Sequence, residues 1–375
     1  MKLIYADNAA TTKMDPDAFE AMKPFLMENY GNASQPYFFA DPAKKVISCA
    51  RRTIAECIGA EPEEIFFTSG GTESDNWAIK ETAFSAQEER LSITSQIEHH
   101  AVLNSCAAIE RLGYPVSYLP VTEEGVVQPE SLKHCITNNT GLVSVMLANN
   151  EIGTIEPVAE LAEIAHAHGA MFHTDAVQAV GHIPIDVKKL GVDLLSSSAH
   201  KFNGMKGSGF LYIRKGTKIR PYADGGSQEH GMRAGTENVA AIVAMAIALK
   251  KNCEHMEGNT QKLLRLEQIF LDALTAAGID FRRNGSHNHL PGNISISIRG
   301  ASGEMLLHRL DLKGICISTG SACDSVNTRI SHVIQAIHVP EEYAKGTIRI
   351  SFGKDNSDEE ASEIANILCR ILLKK

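Results

Sequence analysis

No run in the 375-residue chain is long and apolar enough to span a bilayer. The longest, VAAIVAMAIAL at residues 239–249, falls short of the roughly 20 residues a membrane helix needs. It is rich in alanine and reads as a buried helix. No pair of the eight cysteines forms a C-x-x-C, and they are scattered from Cys49 to Cys369. That pattern opposes a zinc site or a disulfide framework and favours reduced thiols. The opening residues, Met1-Lys2-Leu3-Ile4-Tyr5-Ala6-Asp7, lack the apolar core of a signal peptide, so a cytoplasmic protein is expected. Asn138-Asn139-Thr140 then means nothing for glycosylation. Positive charge is also short: 36 Lys and Arg face 45 Asp and Glu, for a net charge of −9. Neither nucleic acid nor an anionic membrane is an expected partner of the chain as a whole. There is no internal repeat and no low-complexity tract. No Gly-x-Gly-x-x-Gly joins an early strand to a helix, which opposes a nicotinamide-dependent oxidoreductase.

Hydrophobic residues make up 43% and charged residues 22% of the chain, as in a globular protein of about two domains. Short apolar segments at residues 65–68, 142–147, 171–174, 192–195 and 209–213 read as strands. A helix is expected from Thr72 through Trp77 and Ile79, and another over residues 157–168, ending at Gly169. This alternation predicts an α/β domain with a largely parallel sheet. The pattern changes after helices at 239–249 and 261–276. Asn293-Ile294-Ser295-Ile296-Ser297-Ile298 alternates like a half-buried strand. Further segments are a helix at 302–310, Cys316-Ile317-Ser318, a strand at 347–352, and a last helix from Asp358 capped by Ser357 or Asp358. These suggest a smaller α+β domain, with the boundary near 255–260, at Glu257-Gly258-Asn259.

Three stretches carry candidate chemistry. In the first, from Ser196-Ser197-Ser198-Ala199-His200-Lys201 to Gly209, a lysine follows a strand among small hydroxyl residues. A desolvated lysine there can form a Schiff base, with Ser198 and His200 placed to hold a phosphate. The stretch equally fits a polar loop with a solvated lysine. The second, Thr68-Ser69-Gly70-Gly71-Thr72-Glu73-Ser74, puts glycines ahead of a helix, a ready anion site. It lacks the Gly-Lys-Ser/Thr of a Walker loop, and it also fits a helix start capped by Ser69 or Thr72. The third is Phe172-His173-Thr174-Asp175-Ala176-Val177-Gln178. Its aspartate lies at the end of an apolar strand, where α/β sheets bind ligands; it could pair with a protonated ring nitrogen or cap a helix.

Together the three suggest a site for pyridoxal phosphate (PLP), and their order resembles the cysteine desulfurases of the NifS/IscS kind. These are fold-type I PLP enzymes of the class V aminotransferase group. The resemblance runs from Tyr5-Ala6-Asp7-Asn8-Ala9-Ala10-Thr11-Thr12 through Glu98-His99-His100-Ala101-Val102 and Ala148-Asn149-Asn150-Glu151-Ile152-Gly153. It continues through the lysine segment, Arg233-Ala234-Gly235-Thr236-Glu237-Asn238 and Gly320-Ser321-Ala322-Cys323 to Ile348-Arg349-Ile350-Ser351. It implies a large PLP-binding domain at residues 14–257 and a small domain formed by 1–13 with 258–375. It implies that Lys201 carries the cofactor, that Asp175 faces its ring nitrogen, and that Asn150 and Gln178 bond its phenolate oxygen. His99 would stack on the ring and shuttle protons, whereas His100 reads as packing. Gly71, Thr72, Ser198 and His200 would bind the phosphate, joined by Thr236 from a partner subunit, hence a homodimer. Arg349, assisted by Asn32, would hold the substrate carboxylate.

Cys323 would be the nucleophile. It stands in the small, polar stretch Ser318-Thr319-Gly320-Ser321-Ala322-Cys323-Asp324-Ser325, unlike the setting of a packed cysteine. The implied reaction turns L-cysteine into alanine and a Cys323 persulfide. That sulfur passes to an acceptor or scaffold protein, for iron–sulfur cluster assembly or other thio-cofactor synthesis. No resident metal is implied, only Cys323 as a transient cluster ligand. Two departures stand out. Tyr37 occupies a position where the family usually has histidine, and Asp324 follows the nucleophile. The long loop with Arg329 suggests a different acceptor. Other readings are a PLP enzyme acting on selenocysteine or another amino acid, and a sulfur-relay scaffold without PLP chemistry.

Overall fold

The computed structural model describes residues 3–86, 88–319 and 330–373. The strands are β1 (Ile4–Tyr5), β2 (Ile65–Thr68), β3 (Leu91–Ser95), β4 (Val116–Leu119), β5 (Thr140–Ser144) and β6 (Met171–Asp175). They continue with β7 (Leu194–Ser198), β8 (Gly209–Ile213), β9 (Phe281–Asn284), β10 (Asn293–Ile298), β11 (Ile315–Cys316) and β12 (Thr347–Ser351). Seven form one sheet in the order β2-β8-β7-β6-β5-β3-β4. Only β8 runs against its neighbours, β2 and β7; the other pairs are parallel. β7 and β8 are buried along their whole length, as expected of strands covered by helices on both faces. The α/β class is therefore observed. Among the described residues no helix is long and apolar enough to cross a membrane. The alanine-rich helix Val239–Glu254 is instead packed on the helix Asp41–Ile58.

A second core gathers Ile4, Ala6, Leu266, Phe270, Ile294, Ile296, Ile348, Ile350 and Leu368. Around it lie the antiparallel sheet β12-β10-β9, the parallel pair β1-β11, and the helices Met256–Ala276 and Asp358–Leu373. The first residues of the chain thus pack with the last hundred. Ser357 Oγ accepts from Glu360 N–H at 3.3 Å, capping the final helix.

Several local expectations are corrected. The break between helices falls at His255, inside the expected 255–260, while Glu257-Gly258-Asn259 themselves lie in the helix that begins at Met256. β10 is buried on both faces rather than half-buried. Its serines stay satisfied because Asn284 Nδ2 donates to Ser295 Oγ and Ser297 Oγ, and Ser297 Oγ also meets Thr347 Oγ1 at 2.7 Å. Strand β5 stops at Ser144, short of Leu147, and β11 ends at Cys316, before Ser318. The helix beginning at Gly71 passes through a π-helical turn at Trp77–Glu81.

Candidate active site

The C-terminal ends of β6 and β7 open into a cleft of about 260 Å³. Asp175 ends β6 and is buried. Its Oδ1 accepts from Val177 N–H at 2.9 Å, an Asx turn and not a helix cap, since the next helix begins only at Val187. Burial pushes its carboxyl pKa up, while His99 and Lys201 pull it down. Ser198 ends β7, and a single 3₁₀ turn, Ala199–Lys201, carries the lysine into the cleft. Lys201 Nζ donates to the carbonyls of Ala9 at 2.5 Å and Ala10 at 2.9 Å. The N-terminal segment is laced to this turn: Thr12 N–H and Oγ1 both donate to His200 O, and Asn203 N–H donates to Thr12 Oγ1.

At one end of the cleft begins the helix Gly71–Asn76. Gly70 sits at its N-cap with φ 145°, and no side chain caps it; neither Ser69 nor Thr72 does so. Glycine is required at position 71 because a Cβ there would come within 2.5 Å of Val177 Cγ2. Thr72, Ser198 and His200 line the same cleft. Burial, and then Lys201 and Lys206, lower the His200 pKa to about 4. The ring is neutral at pH 7, with Nδ1 at 3.1 Å from Thr11 Oγ1. This end therefore offers backbone N–H groups and neutral donors to an anion.

His99 caps the next helix, His100–Glu110, and its Nδ1 accepts from Ala101 N–H at 3.1 Å. Burial lowers its pKa. With Nδ1 accepting, the proton of the neutral ring lies on Nε2. Gln178 donates to Ala9 O at 3.0 Å, and it lines the cleft with Asn150. His100, read as packing, also lines the cleft. It meets the ring of His332 edge-on at 4.9 Å, and His332 Nε2 donates to Glu98 O at 3.0 Å.

Arg349 reaches the cleft from β12 and is almost wholly buried. Its Nη1 donates to Asn150 O at 2.7 Å and its Nη2 to Asp7 Oδ1 at 2.8 Å, while Nε has no partner. It is a buried ion pair and not a surface one, and its two bonds leave three of the five guanidinium N–H groups unused by them.

One cleft thus brings together Gly71, Thr72, His99, Asn150, Asp175, Gln178, Ser198, His200, Lys201 and Arg349. Asn32 does not line it; its Oδ1 accepts from Ser34 N–H at 2.9 Å. Thr236 is exposed and also outside it. Cys323, Asp324 and Arg329 lie outside the described residues. Sequence reasoning missed three groups. Asp7 is the counterion of Arg349, His332 arrives from the far end of the chain, and buried Asp75 lines the cleft beside Asp175. Asp75 left a weak local signal, as one of two acidic residues, with Glu73, in the short helix Gly71–Asn76.

The model of the family "Aminotransferase class-V" matches residues 4–364. A cysteine desulfurase IscS of Dictyoglomus turgidum is 49% identical over 373 residues, covering 99% of this chain and 95% of the relative. The solved structure of a NifS-like protein superposes with a TM-score of 0.93 at 38% identity, covering 99% of both chains. A structure of SspA in complex with cysteine gives a TM-score of 0.84 at 34% identity, covering 93% of this chain and 98% of the other.

Proposed function

Because the chain belongs to the aminotransferase class-V family and is a cysteine desulfurase of the NifS/IscS kind, we propose that it works with pyridoxal phosphate on Lys201 and delivers the sulfur of L-cysteine to Cys323. The observation that carries this reading is the convergence of Lys201 Nζ, buried Asp175, an uncapped helix start and Arg349 in one cleft. The residues fit the cofactor. The glycine-lined start of the Gly71 helix, with Thr72, Ser198 and His200, suits its phosphate, and Asp175 suits its ring nitrogen. Asn150 and Gln178 suit its phenolate oxygen, and His99 suits its ring face. When bound, the cofactor supplies an electron sink for the charge left at the substrate α-carbon.

The chain's own residues do the rest. Arg349 holds the substrate carboxylate through N–H groups of its fork left over from the bonds to Asn150 O and Asp7. Lys201 Nζ takes the α-proton, and Asp175 keeps the ring nitrogen protonated. His99, neutral with its proton on Nε2, can give and regain a proton at the cleft. The Cys323 thiolate attacks the substrate sulfur. An S–S bond forms as the Cβ–S bond breaks, and the bonding pair stays with the carbon fragment, which takes protons to become alanine. The persulfide then passes to a thiol of an acceptor or scaffold protein, serving iron–sulfur assembly or other thio-cofactor synthesis. The neighbour solved with cysteine supports that substrate.

We also take the enzyme to be a homodimer. Phe38 is 85% exposed, Met27 79% and Tyr30 70%, an apolar face that suits a second copy. Exposed Thr236 is then free to serve the partner's cleft, and Asn32 remains a candidate for assisting the substrate. The second core supports a small domain of residues 1–13 with 258–375 beside a large one of 14–257. A cytoplasmic setting is consistent with free thiols at every described cysteine.

The test incubates cofactor-loaded protein with L-cysteine, with and without a reductant, and measures alanine and sulfide. Alanine from the wild type, lost in Cys323→Ser, is expected. No alanine despite bound cofactor would refute cysteine as the substrate.

A further inference from the structure

Beneath the cleft lies a second carboxyl that the reaction above does not use. Asp75, on the helix Gly71–Asn76, is 1% exposed. Ligating atoms of Asp75, Asp175 and His99 all lie within 4.8 Å of one another. Ser196 on β7 hydrogen-bonds Asp75, while Asp75 Oδ1 has no hydrogen-bond partner. Behind Ser196 stands His173, fully buried on β6. Its Nε2 is 3.0 Å from Ser196 Oγ and its Nδ1 is 2.8 Å from Ser144 Oγ. A neutral imidazole has one donor and one acceptor. Ser144 O–H can therefore donate to Nδ1, Nε2–H to Ser196 Oγ, and Ser196 O–H to Asp75. In that arrangement every bond of the chain points toward Asp75, whose unpartnered Oδ1 lies 3.7 Å from His173 Nε2.

Two dry carboxyls this close cannot both ionise cheaply. Asp175 is the better place for the charge, because Val177 N–H and Lys201 favour its anion. Asp75 faces Asp175, His99, Glu98, His173 and the thiol of Cys106. None of these is a cation at neutral pH: burial lowers the pKa of His173 to about 3 and raises that of Glu98 to about 8. Burial, then Asp175, raises that of Asp75 as well.

We propose that Asp75 is a positioning residue held as a neutral acid, so that the Asp75–Asp175 pair presents one negative charge to the ring nitrogen rather than two. The functional part rests on the cofactor reading of the cleft; the charge state of the pair does not. Ionisation of Asp75 at alkaline pH then adds a second charge to the pair and would change the electronic state of a cofactor bound in the cleft.

The test uses protein carrying ¹³C-labelled aspartate, with and without cofactor, and reads the infrared carbonyl band of protonated carboxyl groups at neutral pH. A labelled band that Asp75→Asn removes is expected in both forms. In the loaded enzyme, an alkaline step in the cofactor's visible absorbance should be absent from Asp75→Asn. Ser196→Ala should shift it by about one pH unit or more. Aspartates that are all ionised at neutral pH, as a divalent cation held between the pair would make them, overturn the proposal. So does an absorbance titration unchanged in Asp75→Asn. Failure of the wild type to load cofactor strikes the reading of the cleft instead, and the cofactor-free infrared spectrum still decides Asp75.

Discussion

Replacing Arg349 by lysine separates the two roles its geometry allows. The guanidinium uses one N–H of Nη1 on Asn150 O and one of Nη2 on Asp7, which leaves the second N–H of each for a substrate carboxylate. Lysine preserves the positive charge opposite Asp7 but loses the planar fork, so it cannot serve Asp7 and a substrate carboxylate at fixed angles. A hydrogen bond to a charged group is worth about 1.5–3 kcal/mol, which predicts a roughly 10- to 150-fold fall in kcat/KM for Arg349→Lys. The lost contact holds substrate and transition state alike, so the fall should appear mainly in KM. Alanine release across an L-cysteine series measures it, with bound-cofactor absorbance as the control for loading. If Arg349 served only to tie the N-terminal segment to β12, the variant would melt earlier with kcat/KM nearly unchanged. That result would refute the assignment.

Other expectations follow from the same geometry. Glu156 is buried, with Oε2 accepting from Val127 N–H at 2.8 Å and Oε1 unpartnered, and burial raises its pKa from 4.5 to about 8. Between those values the unfolded chain has lost this proton and the folded chain keeps it, so stability falls as pH rises through that window. Glu156→Gln should therefore flatten the loss and raise the urea midpoint at pH 8 relative to the wild type. Gly71→Ala drives a Cβ against Val177. An overpacking cost of about 1–3 kcal/mol weakens cofactor binding roughly 5- to 150-fold, as equilibrium dialysis would show. Phe38→Glu puts a charge on the exposed apolar face and should move the protein toward monomer in sedimentation at micromolar concentration. A dimer of unchanged strength would remove that face from the interface.

The parts legible in advance were those written in local pattern. Gly209–Ile213 and Asn293–Ile298 are strands with the limits their apolar runs suggest. The helix Val158–Ala167 ends one residue before His168 and two before Gly169. The errors have a common cause. Gly258-Asn259 look like a breaker, yet the exposed start of a long helix tolerates them because the rest of that helix is anchored on the second core. β10 reads as half-exposed, because alternation of serine and isoleucine does not reveal that Asn284 and Thr347 bond the serines from neighbouring strands. His100 looked inert because its partner, His332, lies more than two hundred residues away in the chain.

By itself the sequence determined the class of fold and the kind of chemistry. Strand–helix alternation is a local property, and a lysine just after a strand, a strand-end aspartate and a glycine-led helix are ordered motifs along one chain. Only the tertiary structure decided which groups share charge and protons. Arg349 meets Asp7, Lys201 meets the carbonyls of Ala9 and Ala10, and Asp75 lies beside Asp175. Those relations depend on ångström distances in a dry interior, where Coulomb energy is strong and desolvation costly, and no spacing along the chain encodes them.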